Sequence, residues 1–132
     1  MTTEKRAKVG YDDLRGYLKE LEDRGMLKHI SAEVDWDGEI GAIAYRGLIK
    51  EAPGMWFDNV KDYPGMPLIA NVMYREDQLA VALNGEPNWE SLRDIIQEGM
   101  TNRLASKEVE TGPVKDVKIM GEDVDLDMFP TP

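Results

Sequence analysis

The sequence predicts an α/β fold, or an α+β variant of it, built as a small layered domain of interleaved helices and strands. Apolar residues recur at helical spacing in four segments, and short apolar runs suited to strands lie between them. Turn residues, chiefly glycine and proline, separate these segments. Alternating helices and strands favour sheet-and-helix layers, but spacing alone does not give the strand order.

The chain length suits one domain. With 132 residues it is long enough for one hydrophobic core and short for two ordinary domains. We expect a single domain over residues 11–132. The leader at residues 1–10 begins MTTEKRAKV, with charge and no following apolar segment, so we expect it to be disordered and not a secretory signal.

The first helix and strand are predicted in YDDLRGYLKELEDRG and MLKHI. Asp12 or Asp13 can cap the helix and Gly25 can close it in the left-handed conformation. The expected buried positions follow the i, i+3, i+4, i+7 pattern of one helix face. They are Leu14, Tyr17, Leu18 and Leu21.

The second helix is predicted in DWDGEIGAIAYRGLIKEAPG, with Asp37 as its cap and Pro53 as its stop. Its expected inner face comprises Ile40, Ile43, Ala44, Gly47 and Leu48. Small residues would let a neighbouring backbone approach closely. They are Gly41, Ala42, Ala44 and Gly47.

Further along, MWFDNV reads as a strand, DYPGMP as a turn, and PLIANVM as a strand buried on both faces. EDQLAVALN predicts a short helix. NWESLRDIIQEGM predicts another, capped by Asn88, with Leu92, Ile95, Ile96 and Met100 buried. After a polar loop, VKDVKIMG and EDVDLDMF are expected to form two strands about Gly121.

Composition excludes several functions. The chain carries 26 acidic and 16 basic residues, a formal charge of −10, which opposes binding to nucleic acid and to anionic membranes. It has no cysteine, so disulfides, zinc-thiolate sites and a thiol nucleophile are excluded, and a cytoplasmic location is favoured. No apolar run approaches the roughly 20 residues that span a bilayer.

Two carboxylate clusters are candidate metal or catalytic sites. Asp123, Asp125 and Asp127 match the first three ligand positions of a calcium loop, but Met128 stands where that loop needs glycine. Their alternation with apolar residues favours a half-buried strand instead. Asp35, Asp37 and Glu39 form the second cluster, and a capped turn entering a helix explains them better than paired acid–base catalysis.

His29 is the only histidine, and serines occur at positions 31, 91 and 106. No nucleophile-elbow pattern surrounds any of these serines, so a structural role for His29 is favoured. Phosphate-binding glycine motifs are also absent from the sequence. From residue chemistry alone we therefore predict no catalytic, cofactor-binding or metal-binding residue in this chain.

Three stretches of the sequence resemble the UbiD family of decarboxylases. LRGYLKELEDRGMLKHISAEVDWDGEIGAI is similar to the family's opening, and FDNVKDYPGMPLIAN to its next segment. GPVKDVKIMGEDVDLDMFPTP is similar to the family's lead-in to the active site. The similarity runs in order from about Tyr11 to Pro132, so the fold is expected to resemble the N-terminal part of these enzymes.

The resemblance implies a reversible decarboxylase acting on aromatic, heteroaromatic or α,β-unsaturated carboxylic acids. It implies prenylated FMN with a divalent metal, Mn or Mg, and in many members potassium. In the family these ligands and the catalytic residues follow the P-x-P segment, which here is Pro130 to Pro132. The resemblance therefore implies that the chain is the N-terminal scaffold of a larger enzyme and is inactive alone, with the chemistry in the remaining polypeptide or in a catalytic subunit.

Two other functions remain open from the residues. One is a stand-alone, non-catalytic interaction subunit that completes or regulates a partner enzyme. The other is a small acidic calcium binder. Under the enzyme hypothesis we expect an oligomeric assembly. The prolines make Phe129 and Thr131 a stiff, extended lead that would aim the chain into a following element.

Overall fold

The computed structural model describes residues 9–103 and 105–131. The predicted disordered leader falls almost entirely on residues 1–8, outside this part of the chain. Four helices and three strands follow one another in the order helix, strand, helix, strand, strand, helix, helix. They are α1 (Leu14–Asp23), β1 (Leu27–Ile30), α2 (Glu39–Ile49), β2 (Gly54–Phe57), β3 (Leu68–Ala70), α3 (Glu76–Leu83) and α4 (Trp89–Thr101).

The strands form one mixed sheet in the order β1-β2-β3. β1 and β2 are parallel, with His29 opposite Trp56, and α2 makes the crossover between them. β2 and β3 are antiparallel, with Trp56 opposite Ile69. The parallel pair belongs to a β-α-β unit and the third strand adds an antiparallel edge, so the arrangement is the α+β variant that the sequence left open.

Helices cover both faces of the sheet. On one face, α1 buries Tyr17, Leu18 and Leu21 against Leu27 of β1 and Val81 of α3. On the other face, Ile40 of α2 packs with Met55 and Phe57 of β2. Trp56, which lies between Met55 and Phe57 on β2, packs against the first of these cores. This alternation follows from the two-residue period of a strand.

Local sequence signals account for the helix ends. The Asp13 side chain accepts a hydrogen bond from the Gly16 N–H at 2.8 Å, and Gly25 follows α1 with a φ of +71°. Asn88 caps α4 by accepting from the Ser91 N–H at 2.9 Å. These predictions are confirmed. The expected approach of a neighbouring backbone is not seen at Gly47, where the Met55 side chain occupies the space of a Cβ, nor at Gly41, where a Cβ would meet no atom within 4 Å.

The predicted cap of α2 is wrong. Gly38 occupies the cap position with a φ of +80° and Asp37 makes no capping bond to the helix. Asp35 organises the turn instead, because its Oδ1 accepts from the Asp37 N–H while Glu39 Oε2 accepts from the Asp35 N–H. An Asx-type turn that begins two residues earlier has displaced the simple cap.

Three strand predictions also fail. PLIANVM yields only the three-residue β3, half-buried at a sheet edge and not covered on both faces. Neither strand predicted near the C-terminal end is present in the described structure. VKDVKIMG is irregular apart from the end of a 3-10 turn at Pro113–Lys115, and EDVDLDMF contains single 3-10 turns at Gly121–Asp123 and Leu126–Met128. Asp125 accepts a hydrogen bond from the Asp127 N–H at 2.9 Å, and this local bond replaces a ladder partner.

Four residues expected in the core are exposed. They are Leu14, Leu48, Ile96 and Met100. Leu92 is the one fully buried side chain of α4 in the described structure, and Ile95 is half-buried. Periodicity correctly identified an apolar side of each helix, but that side is wider than the surface against which the helix packs.

Candidate functional site

The first carboxylate cluster is a structural turn at the start of α2. Besides the two hydrogen bonds that Asp35 makes within this turn, its carboxylate accepts a hydrogen bond from the Lys61 ammonium. This contact holds the pKa of the Asp35 carboxyl below its ordinary value. The same contact raises the pKa of Lys61. The interaction ties the loop before α2 to the loop after β2, next to the parallel bridge between Val34 and Val60. Its function here is to hold two loops together.

The second carboxylate cluster lies on an exposed irregular segment. Asp125 bonds to the backbone of Asp127, and the Asp127 carbonyl accepts a hydrogen bond from the Tyr63 hydroxyl at 2.6 Å. Within residues 9–103 and 105–131, no group of three or more His, Cys, Asp or Glu side chains is placed to hold a metal ion. The geometry therefore gives no support to the calcium-loop alternative.

His29 lies on the outer part of the sheet face that α1 covers. Its ring stacks on Trp56 with a centroid distance of 5.0 Å and an interplanar angle of 21°. Nδ1 lies 2.8 Å from Asp58 Oδ1, and Nε2 lies 3.5 Å from Glu22 Oε1. With both nitrogens facing carboxylates, the ring links β1, α1 and the end of β2.

The serines do not join His29 in a described hydrogen bond. Ser91 Oγ accepts from the Glu86 N–H at 3.2 Å, at the entry to α4, and Ser31 and Ser106 are exposed. The sequence analysis did not favour a catalytic pair of a serine nucleophile with His29 as its base. The geometry gives it no support.

The sequence analysis did not identify a group of buried hydrogen bonds around Gln78, which we call the polar node. Gln78 is fully buried, its Oε1 accepts from the N–H groups of Tyr74 and Arg75, and its Nε2 donates to the Asn71 carbonyl at 3.0 Å. Nε2 also lies 3.4 Å from the Met26 carbonyl. A polar residue three positions before Val81 on the inner face of a helix was the available signal.

Tyr17 extends this node from α1. Its hydroxyl donates to the Val72 carbonyl at 2.6 Å and lies 3.2 Å from the Gln78 carbonyl. Burial raises the pKa of the Tyr17 hydroxyl to about 12. Together the two side chains connect α1, the residue before β1 and the β3–α3 loop.

Open grooves lie beside the layers. One, of about 340 Å³, runs between α1 and the sheet and is lined chiefly by apolar side chains. They include Leu14, Leu18, Trp56, Pro67 and Ile69. A second groove, of about 690 Å³, contains Arg75, whose guanidinium pairs with Asp77 and donates to the Glu51 carbonyl at 2.8 Å. Arg75 and Asp77 of that second groove are thus paired with each other.

The described residues do not place the ligands of a catalytic metal together. A divalent ion needs several converging oxygen ligands, and the described residues place no three carboxylate or histidine groups together. A phosphate is usually held by free cations or by a glycine-rich loop at a helix start. Arg75, Lys61 and Arg24 are each engaged with a carboxylate.

The described part of the chain is an α+β unit in which His29, the Asp35–Lys61 pair and Gln78 each join neighbouring segments. No helix within the described residues combines the length and apolar character needed to cross a membrane. The sequence model of a protein family, the 3-octaprenyl-4-hydroxybenzoate carboxy-lyase N-terminal domain, matches residues 18–98 of this chain. The chain belongs to this family, the UbiD family, and corresponds to its N-terminal domain.

A longer relative and two solved structures are also similar to this chain. Uncharacterized protein sll0936 of Synechocystis is 32% identical over 141 residues, covering 89% of this chain and 28% of the relative. The solved vanillic acid decarboxylase of Sedimentibacter hydroxybenzoicus (ShVdcCD), in open form, superposes with a TM-score of 0.58 at 29% identity. That match covers 70% of this chain and 20% of the decarboxylase chain. A second structure, with truncated ShVdcD, gives the same values.

Proposed function

We propose that this chain is the N-terminal scaffold of a UbiD-like decarboxylase or carboxylase, whose catalytic and cofactor residues lie outside it. The observation that carries the proposal is the family match over residues 18–98, combined with coverage of only 28% and 20% of the longer relatives. Aromatic or α,β-unsaturated carboxylic acids are the proposed substrate class. A solved neighbour that is a vanillic acid decarboxylase supports the aromatic part of that class.

Side-chain chemistry supports the scaffold role. His29 faces two carboxylates, the Asp35–Lys61 pair joins two loops, and Gln78 uses its amide on backbone groups. Each of these groups therefore has a hydrogen-bond or ion-pair partner within the fold. The chain's contribution to the enzyme is then mechanical: it supplies a rigid layer against which the catalytic region is positioned.

For the complete enzyme we propose prenylated FMN with Mn or Mg and, in addition, potassium. We propose that these groups bind to the remaining polypeptide, so no chemical step is assigned to this chain. The proposed partner is the remaining UbiD-like polypeptide, or a separate catalytic subunit, in an oligomeric cytoplasmic assembly. Nucleic acid and membranes are not proposed as partners, in keeping with the net charge of −10.

The decisive experiment compares the 132-residue chain with the chain plus its missing portion. The isolated chain should show no flavin absorbance after incubation with prenylated FMN and Mn, and should release no CO2 from vanillate or 4-hydroxybenzoate. The gene should continue in frame after codon 132, and the longer product should bind flavin. Decarboxylation by the isolated chain would overturn the proposed division of labour.

A second candidate is a separate, non-catalytic subunit that completes a partner enzyme. The large exposed apolar side chains of α2 and α4 favour a partner of some kind, since such surface is normally covered. They include Tyr45, Ile49, Trp89, Ile96 and Met100. A stop codon directly after codon 132, together with copurification of a flavin-loaded second chain, would select this candidate over the first.

A further inference from the structure

Residues 105–131, which we call the C-terminal arm, lie outside the packed part of the molecule. They are exposed apart from Gly112 and Pro130, which are half-buried. In the described structure, neither hydrophobic core cluster contains a residue of the arm. The family match also ends before the arm, at residue 98. The position of the arm therefore depends on contacts other than those that build the core.

One hydrogen bond joins the C-terminal arm to residues 9–103. The Tyr63 hydroxyl, from the loop between β2 and β3, donates to the Asp127 carbonyl at 2.6 Å. The other hydrogen bonds described for the arm connect its own residues, as between Lys115 Nζ and the Glu110 carbonyl at 2.9 Å. The place of Asp127 relative to the domain therefore depends on Tyr63.

The fold holds Tyr63 in place before it meets the arm. Its half-buried ring packs against the core between α2 and β2, and it meets the Trp36 ring edge-on at a centroid distance of 5.9 Å. Its N–H donates to the Val60 carbonyl and its carbonyl accepts from the Met66 N–H, each at 3.1 Å. Since the side chain is already ordered, little further conformational entropy is lost when its hydroxyl binds the arm.

A local turn presents the Asp127 carbonyl to this hydroxyl. Asp125 Oδ1 accepts from the Asp127 N–H at 2.9 Å, and the Phe129 N–H donates to the Leu126 carbonyl at 3.4 Å. The first of these bonds is of the Asx type, which orders the backbone through a neighbouring side chain. Donor and acceptor are thus both pre-organised, which lowers the cost of joining them.

The residues after Asp127 form a stiff segment that starts at this fixed point. Phe129 is extended, with a φ of −119° and a ψ of 139°, as expected for a residue before proline. The ring of Pro130 restricts its own φ. Thr131 is restricted in the same way as Phe129, since a proline follows it in the sequence. A stiff segment that begins at a fixed point leaves the domain in one direction.

We propose that Tyr63 is a latch: its bond to the Asp127 carbonyl holds the C-terminal arm on the β2–β3 loop and sets the direction in which residues 129–131 leave the domain. Loss of one hydrogen bond changes such an equilibrium about two- to tenfold, so the latch opens and closes reversibly. The proposal concerns the chain itself. Its test is therefore separate from that of the proposed enzyme function.

Paramagnetic relaxation in NMR spectra tests the latch on the whole 132-residue chain. The chain has no cysteine, so Thr131→Cys provides a single attachment point for a nitroxide. Position 131 lies at most about 14 Å from Asp127 along an extended backbone, so a closed latch brings the nitroxide near the β2–β3 loop. The amide signals of Asp62 and Met66, in that loop, should therefore be broadened.

Removing the hydroxyl should open the latch. Tyr63→Phe keeps the ring and its contact with Trp36, and should reduce the broadening about twofold or more. Tyr45→Phe is the matched control, because Tyr45 is 66% exposed on α2 and its hydroxyl has no hydrogen-bond partner in the described structure. The control should leave the broadening unchanged.

A second pair of variants tests the acceptor side. Asp125→Ala should also reduce the broadening, by releasing the turn that presents the Asp127 carbonyl, whereas Asp125→Asn should retain it. Circular dichroism verifies that each variant folds. Absence of broadening in the labelled chain with Tyr63 intact, or equal broadening with Tyr63→Phe, overturns the proposal.

Discussion

Replacing Gln78 with leucine should expose how much the buried polar node contributes to stability. Leucine has a similar size but offers no hydrogen bond, so the N–H groups of Tyr74 and Arg75 and the Asn71 carbonyl would lose their partner. Each such bond contributes about 0.5–1.5 kcal/mol, and a buried group left without a partner costs about 1–3 kcal/mol. Two of the bonds are long, at 3.3 Å, so we expect a total loss of about 2–4 kcal/mol.

Urea unfolding followed by far-ultraviolet circular dichroism measures this loss, and thermal melts should show Tm lowered by roughly 6–20 °C. Gln97→Leu is the matched control, because Gln97 is exposed on α4 and the same substitution there should change stability by less than about 0.5 kcal/mol. If Gln78→Leu lowered the free energy of unfolding no more than Gln97→Leu, the node would not be a stabilising element.

Three further predictions concern other parts of the fold. Tyr17→Phe should cost about 1–3 kcal/mol by leaving the Val72 carbonyl unpaired. Since the raised pKa of Tyr17 favours its neutral form in the folded state, the wild type should lose stability as pH rises from about 10 to about 12, and pH-dependent urea melts should show a smaller loss in the variant. Gly47→Val should cost about 1–3 kcal/mol by crowding Met55, as thermal melts would show; an unchanged Tm would refute this. Asp125→Asn should be nearly silent in the same melts, because asparagine can still accept the local backbone bond.

Local rules predicted the helices well. The Asp13 and Asn88 caps depend on contacts within three residues, and the α1 stripe depends on spacing alone. The UbiD resemblance was also carried by residue order along the chain. Interactions that join distant segments were missed, including Gln78 with the Asn71 and Met26 carbonyls and His29 with Trp56. Sequence spacing holds no information about which loop a buried amide will meet.

The errors in the strand predictions share one physical cause. PLIANVM is apolar enough for a central strand, but β3 pairs along one edge of β2 and remains half-buried. The alternating acids near Asp125 fit a strand equally well, yet a side-chain hydrogen bond to the Asp127 N–H turned the backbone. Period-2 patterns show that a segment could be a strand, whereas a strand forms only where a neighbouring backbone is available.

The sequence by itself determined the acidic charge, the four helices with most of their ends, and the family. These properties depend on composition, on neighbours within one helical turn, or on residue order. Tertiary structure alone decided which apolar faces are buried, where Gln78 and Tyr17 place their hydrogen bonds, and that the outer side of α2 is left uncovered. Those outcomes depend on which segments meet in space, and a linear pattern does not contain that information.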